Sequence, residues 1–503
     1  MDAVTIASPK ATGGLPISTL RFSLDQAGLA TVAASPLLTT GAVPGGIRRL
    51  QDRFFDTADF VLAREGITLQ LRKSGRDARL LLLHKGEAVE AVPSSAAPDL
   101  TAFGPEWQAA LTNLLQDSPL HEVASASLRQ TTRELGDASL SFQTGSLAVA
   151  GQKLPVSEIQ LSGPAVTLPS HALQLAASFP LRLQPEPLGP RAVRLAGGPA
   201  PPPQKAAMGL NGDPCLDQAV QSVMSACLEQ FLANWPAFFA GDEVSAVHQM
   251  RVAMRRLRSA LGLFNHAVPT PEFLALRSEA KHIANAMSEA RNWDVFIAML
   301  RTGPTTAFPN EAGFAALEAQ CAAHRQAGYT QVRAWLEDPA TTRFLLQAQA
   351  LIVQRGWRGG LAAELLPRLA APAEAFGAAS LERLYRKLRK HGKHLAKLPA
   401  QDRHRVRIDL KKLRYTVEFF GELVAPRQRV RAFHRAATAL QDELGKLNDM
   451  ATAEALAGRL YADSPEATRA LGIVLGWTAH AARGEPRAIS ATWDEFRDAK
   501  PLA

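Results

Sequence analysis

Two stretches of the sequence carry basic side chains at the spacing of a single helix face. The first is His248-Gln-Met-Arg251-Val-Ala-Met-Arg255-Arg256-Leu-Arg258, and the second, about 156 residues later, is His404-Arg-Val-Arg407-Ile-Asp-Leu-Lys411-Lys412-Leu-Arg414. Both satisfy H-x-x-R-x-x-x-[RK]-[RK]-L-R, an agreement at every specified position that chance explains poorly. With about 3.6 residues per turn, positions 0, +3, +7 and +10 fall within an arc of about 80°, so each stretch builds one cationic stripe roughly 15 Å long. Like charges at these spacings repel one another. Such a stripe calls for something negative to compensate it, and guanidinium and ammonium groups are suited to phosphate oxygens.

A third segment repeats the basic spacing without the histidine, through Arg383, Arg386, Lys390 and Lys393. Each of the two matched stretches also has a companion further along, Arg291-Asn-Trp-Asp294 after the first and Lys446-Leu-Asn-Asp449 after the second. Capping a helix or pairing with stripe arginines is the favoured reading of Asp294 and Asp449, ahead of metal ligation. His248 and His404 either add charge beside an anion or hydrogen-bond within the core.

The elements that position these residues follow from composition. At 503 residues the chain is long enough for two or three cores. Its net charge of +9 is unevenly spread: residues 1–200 hold equal numbers of basic and acidic side chains, so the whole excess lies beyond them. The run Ala196-Gly-Gly-Pro-Ala-Pro-Pro-Pro-Gln-Lys205 cannot continue a helix or central strand, and a linker is expected over 191–211. Before it, alternating segments such as 67–72 and 78–83, separated by turn residues, predict antiparallel strands. After it, long Ala/Leu/Arg-rich stretches punctuated by prolines at 269, 304, 309, 339, 367, 372, 399 and 426 predict bundle-length helices. Cys215, Cys227 and Cys321 are too few and scattered for a disulfide framework and suit a reducing interior. No stretch approaches the ~18 apolar residues of a membrane span, and residues 1–16 lack an apolar export signal. No membrane partner and a cytoplasmic location are expected.

The doubled motif with its two companions resembles a CHAD domain, the conserved histidine α-helical domain, over about residues 212–490. The resemblance implies a pseudo-symmetric pair of four-helix bundles whose basic helices line a positive groove, binding inorganic polyphosphate and located at polyphosphate granules. The expected binding residues are His248, Arg251, Arg255, Arg256, Arg258, Arg291, Arg383, Arg386, Lys390, Lys393, His404, Arg407, Lys411, Lys412, Arg414 and Lys446. The chemistry agrees, since a linear polyphosphate offers dense charge and no bases. Aromatic residues make up 6% of the chain, fewer than a binder of single-stranded nucleic acid ordinarily interleaves.

Upstream, Arg53-Phe-Phe-Asp-Thr to Leu71-Arg72, followed by Leu83-His-Lys85-Gly86, resembles the CYTH, or triphosphate tunnel, family over about residues 15–190. That resemblance implies an eight-stranded antiparallel β-tunnel around a triphosphate, with metal held by carboxylates; CYTH and CHAD domains also occur fused in this order. Here the carboxylates are depleted. Where the family opens with E-x-E-x-K, this chain has Ile17-Ser-Thr19-Leu-Arg21, and the later E-x-E is Glu158-Ile-Gln160, with Gln143 at the expected acidic turn. Gln70 replaces one member of an Arg-x-Arg pair whose other member is Arg72. Arg21, Arg72, Lys85, Arg129 and Arg133 are the candidate tunnel phosphate ligands, and Glu158 and Lys85 are weak candidates for catalysis.

The expectation is therefore a noncatalytic polyphosphate binder with no metal and no cofactor, its tunnel a pseudoenzyme kept for anion binding or structure. The alternatives are a metal-dependent inorganic triphosphatase using Mg²⁺ or Mn²⁺, and a nucleic-acid-associated scaffold.

Overall fold

The computed structural model describes residues 17–35, 38, 43–84, 87–93, 97–116, 118–482, 486–499 and 501–502. Two compact units are present, and neither is continuous in sequence. One holds the strands together with residues 235–242 and 337–354; the other holds 204–234, 243–336 and 355–503.

The strand unit is built on β1 (Ile17–Ser23), β2 (Val43–Asp56), β3 (Ile67–Ser74), β4 (Asp77–His84), β5 (Glu87–Ala91), β6 (His121–Leu135), β7 (Ala138–Val149), β8 (Gln152–Pro164) and β9 (Arg182–Leu183). They form one antiparallel sheet in the order β5-β4-β3-β2-β6-β7-β8-β1-β9. Nine strands are thus described where eight were expected, the addition being the two-residue β9. Its helices are α1 (Gln26–Ala33), α2 (Pro105–Leu115), α3 (Leu168–Ser178) and α4 (Leu188–Leu195).

Alternation along the strands gives the sheet two chemically distinct faces. One is apolar: Leu69, Leu71, Leu80 and Leu82 pack on Trp107 and Leu111 of α2, while Phe22, Leu140, Ile159 and Leu161 pack on α1 and α3. The opposite face carries Asp52, Gln70, Arg72, Gln143 and Glu158, all but Arg72 buried. On it α4 lies against Leu50, Phe54 and Leu128 through Leu188, Ala192 and Val193. Gly189 permits that approach, since a Cβ there would stand 3.0 Å from the Thr68 methyl and 3.3 Å from the Phe54 ring.

The Phe-Asp-Thr segment has a local structural explanation. The Asp56 carboxylate accepts backbone N–H bonds from Thr57, Leu62 and Ala63 at 2.7, 3.0 and 3.0 Å, and the Thr57 hydroxyl accepts from Val61. Together they cap the single helical turn Val61–Arg64, whose Leu62 is fully buried. Burial pushes the Asp56 carboxyl above its ordinary range, against the pull of those N–H groups.

The helical unit comprises α5 (Leu216–Ala233), α6 (Glu243–Phe264), α7 (Pro271–Ala286), α8 (Ser288–Thr302) and α9 (Gly313–Leu336), then, beyond α10 (Pro339–Val353), α11 (Ala373–His391), α12 (Ala400–Val424), α13 (Arg427–Ala457), α14 (Pro465–Ala482) and α15 (Pro486–Asp498). Its two halves repeat, with helices starting at 216 and 373, 243 and 400, 271 and 427, and 313 and 465. Equivalent positions even exchange hydrogen bonds: Leu216 N–H donates to Ala371 C=O at 2.8 Å and Ala373 N–H to Pro214 C=O at 2.9 Å. Prolines 339, 372, 399 and 426 sit at or just before helix starts, as their fixed φ favours. No proline separates α7 from α8; that break falls at Met287.

Helix α10 belongs to the strand unit although its sequence follows α9. Thr342 Oγ1 accepts from Leu183 N–H at 2.8 Å, Gln354 Nε2 donates to Ser170 Oγ at 2.7 Å, and Leu346 joins the core around Phe22. This corrects the boundaries at 15–190 and 212–490, which periodicity could not refine because α10 looks like any other bundle helix. The segment read as a free linker is also partly built in. Residues 191–195 lie in α4, Gln204 exchanges two 2.9 Å hydrogen bonds with Asn234, and Met208 and Leu210 are buried. At the other end, α15 extends past residue 490 and buries Trp493 and Phe496. No helix among the described residues is long and apolar enough to cross a membrane.

Candidate functional site

The two cationic stripes open onto one cavity of the helical unit. Val247, Met250 and Met254 of α6, and Val406 and Leu410 of α12, are fully buried and fix the rotation of each helix. Each basic edge is thereby turned outward from the core. A cavity of ≈ 260 Å³ is lined by His248, Arg251 and Arg255 of α6, Arg291 and Asn292 of α8, Arg407 and Lys411 of α12, and Asp449 of α13. A second, of ≈ 550 Å³, shares Arg251, Arg255 and Lys411 and adds Arg258, His266, Arg277, Arg383, Lys387, Lys412 and Tyr415. The two form a continuous cationic groove.

What distinguishes its central cations is the absence of ion-pair partners. Among the described residues, Arg251, Arg255, Arg407 and Lys411 have no carboxylate within ion-pair distance, whereas Arg256, Arg291, Lys387, Lys412 and Arg414 around them do. The Nε–H groups of Arg258 and Arg407 are buried without an acceptor. Burial first, and then like charge, draws Arg251, Arg258, Arg407 and Lys411 below their ordinary pKa values. Arg251 falls to about 10 beside Arg255 and Arg291, and Lys411 to about 7 beside Arg255 and Arg407. Arg258 and Arg407 are lowered for the same principal reason. His248 is also lowered, by burial and by Arg291, Arg251 and Arg255, which favours the neutral imidazole.

The halves diverge in detail. Arg256 leaves the stripe: its guanidinium donates to Glu418 at 2.9 Å and to Gln230 at 2.6 Å, joining α6 to α12 and α5. Its counterpart Lys412 faces the larger cavity and lies 3.9 Å from Asp409. At the last stripe position the roles reverse, Arg258 lining the groove while Arg414 lies over Tyr415 and 3.9 Å from Glu418. His404 is exposed and lines neither cavity. Of the third segment only Arg383 enters; Arg386 pairs with Glu382 at 2.8 Å, and Lys390 and Lys393 are exposed away from both cavities. Lys446 donates to Glu443 and lines neither cavity.

The two aspartates also part ways. Asp294 is turned from the groove and accepts from Arg325 at 2.8 Å and the Tyr329 hydroxyl at 2.7 Å. Asp449 instead lines the smaller cavity and counteracts the lowering of Arg407 and Lys411. Arg277, His266 and Lys387 complete the groove and were not among the expected ligands. Arg277 has no basic equivalent in the second half, where Phe433 stands at the matching position, so the repeat offered no signal. Lys387 is held by Asp409 at 3.0 Å, which also takes His391 at 2.8 Å.

In the strand unit the expected ligands separate. Arg21 pairs across the ladder with Gln160, and Glu158 with Gln143, on the polar face. Glu158 is ion-paired with Arg191 of α4, and Gln160 Nε2 donates to Gln143 Oε1 at 3.1 Å. Arg72 is engaged with Asp52 through two 2.8 Å hydrogen bonds, and Asp52 outweighs burial to hold its pKa up. Arg129 is exposed on the other face, which also carries the half-buried Arg133, donating to Leu38 C=O and lying over Phe142. Lys85 lies outside the described residues. A Mg²⁺ or Mn²⁺ ion requires several oxygen donors. One carboxylate tied to a guanidinium, with amides beside it, does not fit such an ion.

Comparison with known proteins agrees with the helical geometry. Residues 222–458 match the CHAD domain family, so the chain carries a CHAD domain. The crystal structure of the CHAD domain from the plant Ricinus communis is similar at 29% identity and a TM-score of 0.52, covering 60% of this chain and 98% of that one. PptA from Streptomyces chartreusis, at 18% identity and a TM-score of 0.42, covers 56% of this chain and 99% of its own. An uncharacterized protein of Mycobacterium tuberculosis is 27% identical over 274 residues, 49% of this chain and 52% of the relative. The chain therefore spans about half the length of the curated relative it matches.

Proposed function

We propose that this chain binds inorganic polyphosphate in the groove between α6 and α12, and through it associates with polyphosphate granules in the cytoplasm. The observation that carries the reading is the convergence of Arg251, Arg255, Arg407 and Lys411, partly buried and without ion-pair partners among the described residues, on one cavity. Leaving such charges uncompensated is costly. A polymer with negative oxygens at every repeat supplies the missing partners, and the family linked to the CHAD domain has this ligand. The strand unit acts on this reading as a structural or anion-binding module, because Glu158 is neutralised by Arg191 and α4 covers part of the polar face.

Tyr415 is the single aromatic side chain among the cationic groups of the larger cavity, which disfavours base stacking. Equilibrium competition at equal salt should therefore give long-chain polyphosphate an affinity at least about tenfold above that of duplex DNA. Both affinities fall steeply with salt, so the ratio rather than the slope is decisive. Equal affinities would reject the reading in favour of a general polyanion scaffold. Release of phosphate from tripolyphosphate with Mg²⁺ or Mn²⁺, lost in Glu158→Gln, would restore the triphosphatase alternative.

A further inference from the structure

Lys411 stands where the two cavities meet, facing cations from several helices. From α6 it faces Arg251 and Arg255, with His248 further along the smaller cavity; from α8 comes Arg291. Arg277 of α7, His266 beyond α6, and Arg383 and Lys387 of α11 surround the larger cavity, with Arg258 and Lys412. Among the described residues, Asp449 of α13 is the single carboxylate lining either space. The α12 neighbours Arg407 and Arg414 add further positive charge. A guanidinium keeps its proton under such crowding and an ammonium does not, because the arginine side chain starts from a far higher pKa.

We infer that the groove binds its polyanion together with a proton, which passes from solvent to the neutral Lys411 amine as phosphate oxygens enter. The inference rests on the polyphosphate reading and adds its regulation. When the groove is empty, crowding and burial favour the uncharged amine; when phosphate lies beside it, the ammonium gains a counter-charge and a charge-assisted hydrogen bond. The proton is taken from water or buffer and no bond other than N–H is made. Binding is therefore strongest below neutrality and weakens as pH rises. The window from pH 7.5 to 9 separates Lys411 from the imidazoles and from Arg251: His248 and His266 are both lowered and remain neutral there, and Arg251, at about 10, is still charged, while Lys412, lowered chiefly by burial, is told apart by the Lys411→Arg variant.

The test is polyphosphate binding by the full chain at fixed salt between pH 7.5 and 9, with calorimetry in two buffers of different ionisation enthalpy. The wild-type dissociation constant should rise by up to about tenfold per pH unit, with close to one proton taken up per binding event. In Lys411→Arg both the slope and the proton uptake vanish, whatever the affinity at pH 7.5. Equal slopes in the two proteins, or no buffer-dependent heat, would overturn the proposal while leaving the polyphosphate reading intact. A second readout does not need the polymer. The side-chain carbon resonance that Lys411→Arg removes from the free protein should titrate near neutrality, and a midpoint near the ordinary lysine value of about 10.4 overturns the proposal even if polyphosphate does not bind.

Discussion

Replacing Arg251, Arg255, Arg407 and Lys411 together by glutamate in the full chain should weaken polyphosphate binding by a factor on the order of 10⁴ or more. Each hydrogen bond to a charged group contributes roughly 1.5–3 kcal/mol, so four lost contacts suffice before the added repulsion is considered. The fold should survive, because these four side chains have no carboxylate partner to lose among the described residues. A matched charge reversal of Arg386, Lys390 and Lys393, which line neither cavity, serves as the control. It changes net charge by a similar amount and should cost less than about tenfold. Fluorescence anisotropy with labelled polyphosphate reads both. Equal losses would mean that overall charge, not the groove, governs binding.

Glu418→Ala should be the most damaging single change to the helical unit, lowering its stability by about 3–5 kcal/mol. Glu418 lies in the half-buried seam behind the groove. It pairs with Arg256 at 2.8 Å, His434 at 3.6 Å and Arg414 at 3.9 Å, with its side chain 13% exposed. Removing it strands several cations at once and unfastens α6 from α12. Burial raises its pKa, but the nearby His434 imidazole and the charges of Arg256 and Arg414 outweigh this and hold the carboxyl below its ordinary range. The sign of the pH dependence follows. The contribution is fully present above the unfolded value of about 4.3 and is lost as pH falls through the lower folded value. Chemical denaturation should show a gap between wild type and variant that is constant near neutrality and closes in acid. A gap below about 1 kcal/mol at pH 7 would show that α6 and α12 are held by packing alone.

The groove was largely legible in the sequence because a helix face is a local property. His248, Arg251, Arg255 and Arg258 share one edge by spacing alone, and the structure turns all four to the cavities. What spacing could not supply was the partner of each charge. Arg256 and Lys412 occupy equivalent motif positions, yet one is claimed by Glu418 and Gln230 and the other faces the groove. That difference comes from long-range contacts. Arg277 went unread for the same reason, since it enters from a helix without a matching motif. In the strand unit, alternation gave the strands correctly but not the sides. Arg129 and Arg133 have the same parity as residues paired with the apolar face, which becomes visible only once the ladder register places Arg133 opposite Leu140. The Phe-Asp-Thr segment illustrates the converse. Its aspartate is recognisable in sequence, but its role in capping Val61–Arg64 is a matter of three backbone hydrogen bonds. The placement of α10 in the strand unit was likewise hidden, because an apolar helix face does not record which core it will enter.

The measurement that bears most directly on the groove is the location of phosphate in crystals of the full chain grown with polyphosphate. The account predicts a row of phosphate groups contacting Arg255 and Lys411, continuous between the cavity at Arg291 and the cavity at Arg277. A polymer ordered instead along the outer edge of α11, at Arg386, Lys390 and Lys393, with the interior groove left to solvent, would contradict it.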